Sequence, residues 1–124
     1  MLAYATIGTN DLPRAAAFYD ALLAEIGGKR MMEEPDYFIA WGTGPDGAGL
    51  GVTLPFDKRP ATVGNGCMVA LQAGSRDEVD RLHARALALG GSDEGAPGQR
   101  SEGFYAAYFR DLDGNKLNAC YFGG

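Results

Sequence analysis

The stretch YFRDLDGNKLNACY, residues 108–121, places Asp113-Gly114 between two runs rich in apolar and aromatic residues. Asp-Gly in that setting is a strong hairpin signal, because both residues accept the backbone angles of a tight turn. The same order occurs earlier, where Pro45-Asp46-Gly47 separates the strand-like runs 36–41 and 50–54. Both segments are therefore predicted to form a strand, a turn and a strand.

Each hairpin follows a shorter strand and a helix. Helices are predicted over 12–26 and 76–89, where apolar residues recur at helical spacing. Pro13 suits the first turn of the first helix, and Ser75 to Glu78 form a capping box before the second. A pair of glycines ends each helix, since glycine readily adopts the left-handed conformation of a C-cap.

The spacing of these features indicates a duplicated unit. The glycine pairs at 27–28 and 90–91 lie 63 residues apart, as do Tyr4 and Cys67, which begin the two leading strands. The Asp-Gly turns lie 67 residues apart, so the second copy carries an insertion of four residues, placed near 98–101. The predicted fold class is α+β in one domain over 1–124. Module 1 covers about 1–54, a linker covers 55–64, and module 2 covers about 65–122.

Composition excludes several classes of partner. The net charge of -5 argues against a nucleic-acid partner, because phosphate binding needs a basic face. No apolar run approaches the ~20 residues of a membrane span, and the N-terminus lacks the regions typical of a signal peptide. Cys67 and Cys120 do not make a disulfide framework. We therefore expect a cytoplasmic protein with reduced thiols and without a membrane partner.

Alternation along the strands assigns side chains to two faces of the sheet. One face is apolar and is expected to carry the helices; it includes Ile7, Val52, Met68, Ala70 and Leu117. The other face is mixed and comprises Tyr4, Thr6, Gly51, Thr53, Cys67, Asn118 and Cys120. A mixed, uncovered face predicts a ligand-binding cleft. An interface or a second small core is the alternative.

Two βαβββ modules, the opening NDLPRAAAFY over 10–19, and RDLDGN over 110–115 resemble the vicinal oxygen chelate superfamily. This superfamily includes glyoxalases, bleomycin-resistance proteins and extradiol dioxygenases. The segment 90–100 is similar to a loop of one small bacterial glyoxalase-like group. The resemblance covers nearly the whole chain. It implies a curved mixed sheet around a cleft, helices on the outer face, and a homodimer.

Metal-using members of that superfamily place one ligand, typically His, Gln or Glu, on each of four strands. The resemblance puts these positions on Tyr4, Gly51, Cys67 and Asn118. None is histidine or glutamate, Gly51 has no side chain, and a phenol with a pKa near ~10 is a poor ligand. We therefore predict no metal site and no cofactor. Asp111 and Asp113 are interpreted as turn residues, because a calcium loop starting at Asp111 would lack its glycine and glutamate.

The candidate ligand-binding residues are Tyr4, Thr6, Trp41, Thr53, Cys67, Arg100, Tyr105, Tyr108 and Asn118. Arg100 and Glu102 follow a predicted loop at the cleft, where Glu102 could act as a general base and Tyr4 as its partner. The single histidine, His83, lies on the second helix and is predicted to be a surface or helix-packing residue.

Three functions fit these predictions. The first is a glyoxalase-like protein that binds a small aromatic or polar organic molecule in the cleft without a metal. The second is a glyoxalase-like lyase or isomerase that uses an unusual metal set or metal-free acid–base catalysis. The third is a non-catalytic interaction module whose cleft is filled by its own side chains or by a partner.

Overall fold

A computed structural model describes residues 1–123 and confirms the α+β class with two βαβββ modules. Module 1 contains β1 (Tyr4–Gly8), α1 (Leu12–Leu23), a 3-10 turn (Ala24–Ile26), β2 (Lys29–Glu34), β3 (Phe38–Gly42) and β4 (Gly49–Thr53). Module 2 contains β5 (Val69–Gln72), α2 (Arg76–Ala88), β6 (Ser92–Ser101), β7 (Phe104–Arg110) and β8 (Lys116–Phe122). Within residues 1–123, no helix is long and apolar enough to span a membrane.

The strands form two four-stranded sheets, one per module. Sheet 1 has the order β1-β4-β3-β2 and sheet 2 the order β5-β8-β7-β6. In each, the leading strand pairs in parallel with the last strand, and the other pairings are antiparallel. The helices contact each other, and one continuous core joins both helices to one face of each sheet. The two opposite faces, here called the free faces, are therefore left without a helix.

The predicted helix signals act where expected. The side chain of Asp11 accepts a hydrogen bond from the amide of Arg14, and Ser75 accepts one from the amide of Glu78. Each cap satisfies a helix N–H that has no partner within the helix. Gly27 adopts the left-handed conformation with φ of 76° and ends the 3-10 turn that extends α1. The helices thus begin and end close to the predicted residues.

The prediction of a loop over 90–100 is wrong, because most of this segment belongs to β6. This strand lies at the edge of sheet 2, is largely exposed, and pairs with β7 through several register shifts. Its sequence contains Gly95, Pro97 and Gly98, which weaken a strand pattern but are tolerated at an edge with bulges. Strand β2 is also an edge strand, with every residue exposed, and its sequence KRMMEE shows no alternation.

The predicted faces of β5 are also wrong. The strand begins at Val69, and Ala70 pairs with Asn118 across the parallel ladder. Ala70 therefore shares the free face with Asn118, whereas Leu71 is buried in the core beneath the helices. Cys67 lies outside the strand, in a turn where its amide donates to the carbonyl of Gly64. Because both faces of CMVAL are apolar, alternation could not assign them.

Candidate functional site

The free faces carry a mixture of aromatic, polar and small residues. On sheet 1 they are Tyr4, Thr6, Phe38, Ala40, Gly51 and Thr53. On sheet 2 they are Ala70, Gln72, Ala106, Tyr108, Lys116, Asn118 and Cys120. Tyr4 is 62% exposed, whereas Asn118 is 2% exposed. Sheet 1 therefore offers an open surface, and sheet 2 offers a more enclosed one.

The 110–115 motif holds the two modules together. The Asp113 carboxylate accepts hydrogen bonds from the Thr9 hydroxyl at 2.6 Å and the Asn10 amide at 3.0 Å. Asn115 donates through Nδ2 to the carbonyl of Gly8 at 2.8 Å. These contacts join the turn before β8 to the end of β1. Sequence reasoning identified the turn but missed this contact between modules, which has no local signal.

Asp111 is buried within the same motif and its carboxylate is well satisfied. Oδ1 accepts from the amides of Asp113 and Asn115, both at 2.9 Å. Oδ2 accepts from the Tyr19 hydroxyl at 2.6 Å and from Asn115 Nδ2 at 3.0 Å. Burial of the phenol, followed by the charge of Asp111, raises the pKa of Tyr19 well above its ordinary value. The interpretation of Asp111 and Asp113 as turn residues is confirmed.

The first pair of family ligand positions, Tyr4 and Gly51, does not fit a divalent metal. The ring of Phe38 lies over Gly51, and a Cβ added there would be 2.8 Å from two of its ring carbons. The place of a carboxylate is thus taken by an aromatic ring. Tyr4 offers only a phenol, which is neither a carboxylate nor an imidazole.

The second pair fits a metal no better. Asn118 has no carboxylate, and the turn at Cys67 removes that thiol from the strand. The register places Met68, two residues before Ala70, where Cys67 had been assigned. Met68 offers a thioether, a soft ligand that suits copper(I) better than the hard or borderline divalent ions. Among residues 1–123, no group of three His, Cys, Asp or Glu side chains could hold a metal ion.

Two predicted ligand-binding aromatics lie on the wrong side of the sheets. Trp41 is 1% exposed and donates through Nε1 to Asp20 on α1 at 2.9 Å. Tyr105 donates its hydroxyl to Asp80 on α2 at 2.7 Å, and the Arg76 guanidinium lies over its ring. Both residues therefore lie on the helix side of their sheets and not on the free faces. Their strands carry apolar residues on both faces, so alternation does not tell which face each side chain takes.

Tyr108 is at the centre of a positively charged cluster on sheet 2. The Arg100 guanidinium lies 5.4 Å from the centroid of its ring, and Lys116 Nζ lies 5.6 Å from it. Asn118 pairs directly with Tyr108 across the strands. The Oδ1 atom of Asn118 is buried and has no hydrogen-bond partner within residues 1–123. The structure thus brings together Arg100, Tyr108 and Asn118 as predicted and adds Lys116, which sequence reasoning missed.

Of the remaining candidates, Thr6 and Cys67 line one small cavity, whereas Thr53 and Glu102 lie elsewhere. Thr6 is exposed on the free face of sheet 1, and the hydroxyl of Thr53 donates to the carbonyls of Tyr37 and Leu54. Glu102 is exposed in the turn between β6 and β7 of module 2, whereas Tyr4 lies on β1 of module 1. Within residues 1–123, no hydrogen bond joins the two side chains. This separation gives no support to an acid–base pair.

The histidine and the cysteines have structural placements. His83 is buried between α2 and β6, with Nε2 2.9 Å from Asp93 Oδ1, so its predicted packing role is confirmed. Hydrogen bonds lower the pKa of Asp93; the bond from the Gly95 backbone amide has the larger effect, and the bond with the His83 side chain follows. Cys67 is exposed, Cys120 is buried, and both are free thiols. Burial raises the pKa of Cys120.

Three cavities accompany these surfaces. One of about 290 Å³ lies where the modules meet and is lined by residues that include Leu50, Ala70 and Gln72. A smaller one of about 100 Å³ lies beside Cys67 and Asn115. A wide depression of about 1000 Å³ lies between the linker and the β2–β3 turn, where Tyr37 and Phe56 are exposed. No pattern in the sequence predicted this depression.

Comparison with known proteins identifies the family. A family model for the Glyoxalase/Bleomycin resistance protein/Dioxygenase superfamily matches residues 1–119. A glyoxalase/bleomycin resistance protein from Albidiferax ferrireducens T118 has 35% sequence identity and a TM-score of 0.87, with 97% of each chain covered. No curated protein gives a significant match.

More distant solved structures share the fold. The hypothetical protein SA1046 from S. aureus is 25% identical, with a TM-score of 0.74 over 95% of this chain and 91% of that one. A lactoylglutathione lyase from Agrobacterium tumefaciens is 22% identical, with a TM-score of 0.71 over 97% of this chain and 92% of that one. The second likeness concerns the fold alone. The match over residues 1–119 and the 35% identity to the Albidiferax ferrireducens protein show that the chain belongs to the glyoxalase/bleomycin resistance/dioxygenase superfamily.

Proposed function

We propose that this protein binds a small organic molecule on the free faces of its sheets, without the divalent metal that metal-using members of the superfamily employ. The observation that carries the metal-free part is the Phe38 ring over Gly51. A glutamate at position 51 would have to displace that ring. The side chains at the three other family positions supply no carboxylate or imidazole.

The binding part rests on the chemistry of the free faces. Ligand sites in proteins are largely apolar surfaces with a few placed polar groups. The free faces combine Phe38 and Tyr108 with Thr6, Lys116 and Asn118. Binding needs neither a metal nor a catalytic base, which agrees with the separation of Tyr4 from Glu102. The pairing of two copies and the cytoplasmic location stay predictions.

The metal-free part is tested by elemental mass spectrometry of the untagged protein. Metal is measured after dialysis and again after loading with nickel, zinc or manganese. We expect no metal above the buffer background in either sample. Near-stoichiometric metal that is lost in an Asn118→Ala variant would contradict the proposal, because that result would place a metal on the free face.

The binding part is tested by thermal shift and by ¹⁵N–¹H NMR with a set of small aromatic compounds. At a ligand concentration 100 times Kd, the expected stabilisation is about 2.7 kcal/mol. Ala70→Trp adds a large side chain to the free face, and Ala84→Trp makes the same change on the exposed side of α2. We expect only Ala70→Trp to weaken binding. Equal effects of the two variants, or no binding by any compound, would refute it.

A further inference from the structure

Two kinds of group in the charged cluster on sheet 2 lack a partner in the described part of the chain: the cationic side chains and a buried amide oxygen. The cluster is formed by Arg100, Tyr108, Lys116 and Asn118. Neither Arg100 nor Lys116 forms an ion pair among residues 1–123. Arg100 has only the carbonyl of Ala96 at 2.7 Å and the Tyr108 ring. In a chain with a net charge of -5, two cations beside the same tyrosine ring and without a carboxylate partner leave a local positive potential.

One acidic side chain on this part of the sheet, that of Glu94, is already paired. Glu94 accepts a hydrogen bond from Arg110 Nε at 2.6 Å, and Arg110 also donates to the carbonyl of Gly114. Arg110 pairs with Lys116 across the β7–β8 ladder. The carboxylate of Glu94 is thus held by Arg110 and does not neutralise Arg100 or Lys116.

The buried amide of Asn118 is the second, independent observation. Its Oδ1 is shielded from solvent yet has no donor. A buried polar atom without a partner is rare and carries a desolvation cost that a partner removes. Its neighbours on the free face are Lys116 and Cys120 on the same strand, Tyr108 on β7 and Ala70 on β5. Long cationic side chains such as Lys116 change rotamer easily, so a ligand that attracts the ammonium group would open a path to Oδ1.

We propose that the charged cluster is a subsite for a small carboxylate that also bears a hydroxyl group. Arg100 and Lys116 bind the carboxylate, and the hydroxyl group donates to Asn118 Oδ1. The edge of Tyr108 supplies the apolar contact between these two ends. This inference rests on the proposed binding function and names the class of ligand that the site takes.

Four compounds with one ring system test the subsite by NMR titration of the full chain. They are 4-hydroxyphenylacetate, its neutral amide, the 4-methoxy carboxylate that lacks the donor, and the cation tyramine. We expect 4-hydroxyphenylacetate to shift the amide signals of Tyr108, Lys116 and Asn118 saturably. Loss of the charge-assisted contact is expected to weaken the amide and tyramine by about tenfold or more.

Variants separate charge from fold. Arg100→Gln and Lys116→Gln are each expected to weaken 4-hydroxyphenylacetate about fivefold, as for ion pairs near the surface. Arg85→Gln removes an equal charge from the exposed side of α2 and is expected to leave the affinity unchanged. Asn118→Leu is expected to abolish the preference for the hydroxy over the methoxy compound. The same variant is expected to raise the melting temperature, because it removes a buried atom without a partner.

The outcomes distinguish this inference from the proposed function. If neutral or cationic compounds bind the free faces as well as the carboxylate does, the binding function stands and the anionic subsite is wrong. The subsite is equally wrong if Arg100→Gln and Lys116→Gln have no larger effect than Arg85→Gln. If no compound of any charge shifts the free-face signals, the binding function itself fails and the subsite with it.

Discussion

The hydrogen bond from Tyr19 to Asp111 is expected to contribute strongly to stability, because it joins the core of module 1 to the 110–115 motif of module 2. The bond is 2.6 Å long, Tyr19 is fully buried, and Asp111 is 7% exposed. A hydrogen bond to a charged group contributes about 1.5–3 kcal/mol. Asp111→Ala also removes the acceptor for two backbone amides, so we expect a total loss of about 3–5 kcal/mol.

A double-mutant cycle isolates the bond. Tyr19→Phe removes only the hydroxyl group and is expected to cost about 1–3 kcal/mol. The coupling energy between Tyr19→Phe and Asp111→Ala is expected to be about 1.5–3 kcal/mol, measured by urea unfolding followed by circular dichroism. Tyr105→Phe is the matched control, since Tyr105 donates to Asp80 at 2.7 Å on the surface. We expect that control to cost less than about 0.5 kcal/mol.

The result that would refute this reasoning is a coupling energy below about 0.5 kcal/mol, the usual limit for independent sites. Such a value would mean that water or another side chain replaces the bond without loss. The modules would then be held together by the apolar core and the Asp113 contacts alone. Equal losses of unfolding free energy for Tyr105→Phe and Tyr19→Phe would also contradict the reasoning, because the buried hydrogen bond would then contribute no more than the surface one.

The remaining predictions concern alkaline pH, one close-packed glycine and the two thiols. Burial and Asp111 raise the pKa of Tyr19 in the folded state, so protonated Tyr19 stabilises the fold. This contribution to the free energy of unfolding is complete below the unfolded pKa of about 10 and is lost as pH rises above it. Urea unfolding between about pH 8 and 11 should therefore give a flatter alkaline decline for Tyr19→Phe than for the parent, and equal slopes would contradict this. Gly91→Ala puts a Cβ 2.6 Å from the Arg110 carbonyl oxygen and is expected to lower the free energy of unfolding by more than about 2 kcal/mol. Gly103→Ala, in open space at φ of 72°, is expected to lower it by about 1–2 kcal/mol. Equal losses of the two variants in urea unfolding would show that the close contact relaxes. Native labelling with a thiol reagent should modify exposed Cys67 at least about tenfold faster than buried Cys120, and equal rates would show that the free face opens readily.

The helices were predictable because their signals are local. Pro13, the Ser75 cap and the two glycine pairs each restrict the backbone within one or two turns. Gly91 also explains why the second pair needs glycine, since a Cβ there would meet the carbonyl oxygens of Arg110 and Ala86. The glycine spacing then revealed the duplication, and from it the α+β class followed.

The faces of the strands were less predictable. Where both faces of a strand are apolar, as around Cys67 and Trp41, the alternation of side chains does not tell which residues face the core. The edge strand β6 has a sequence typical of a loop, and only its pairing with β7 makes it a strand. Trp41 and Tyr105 were therefore assigned to a ligand although both bond to helices. Tyr108 lies on the free face, and Arg100 lies beside its ring from strand β6 instead of from the predicted loop. Lys116 was missed because its proximity to Tyr108 depends on the register between β7 and β8.

The residues that identified the family differ from those on which a function depends. Asn10, Asp111 and Asp113 carry the resemblance, and the structure uses all three to close the turn and join the modules. Their contacts here are structural, so these residues predict architecture and not chemistry. The chemistry depends instead on what occupies the free faces. There, Phe38 over Gly51 and the unpartnered Asn118 are features of this chain, visible only once its strands are paired.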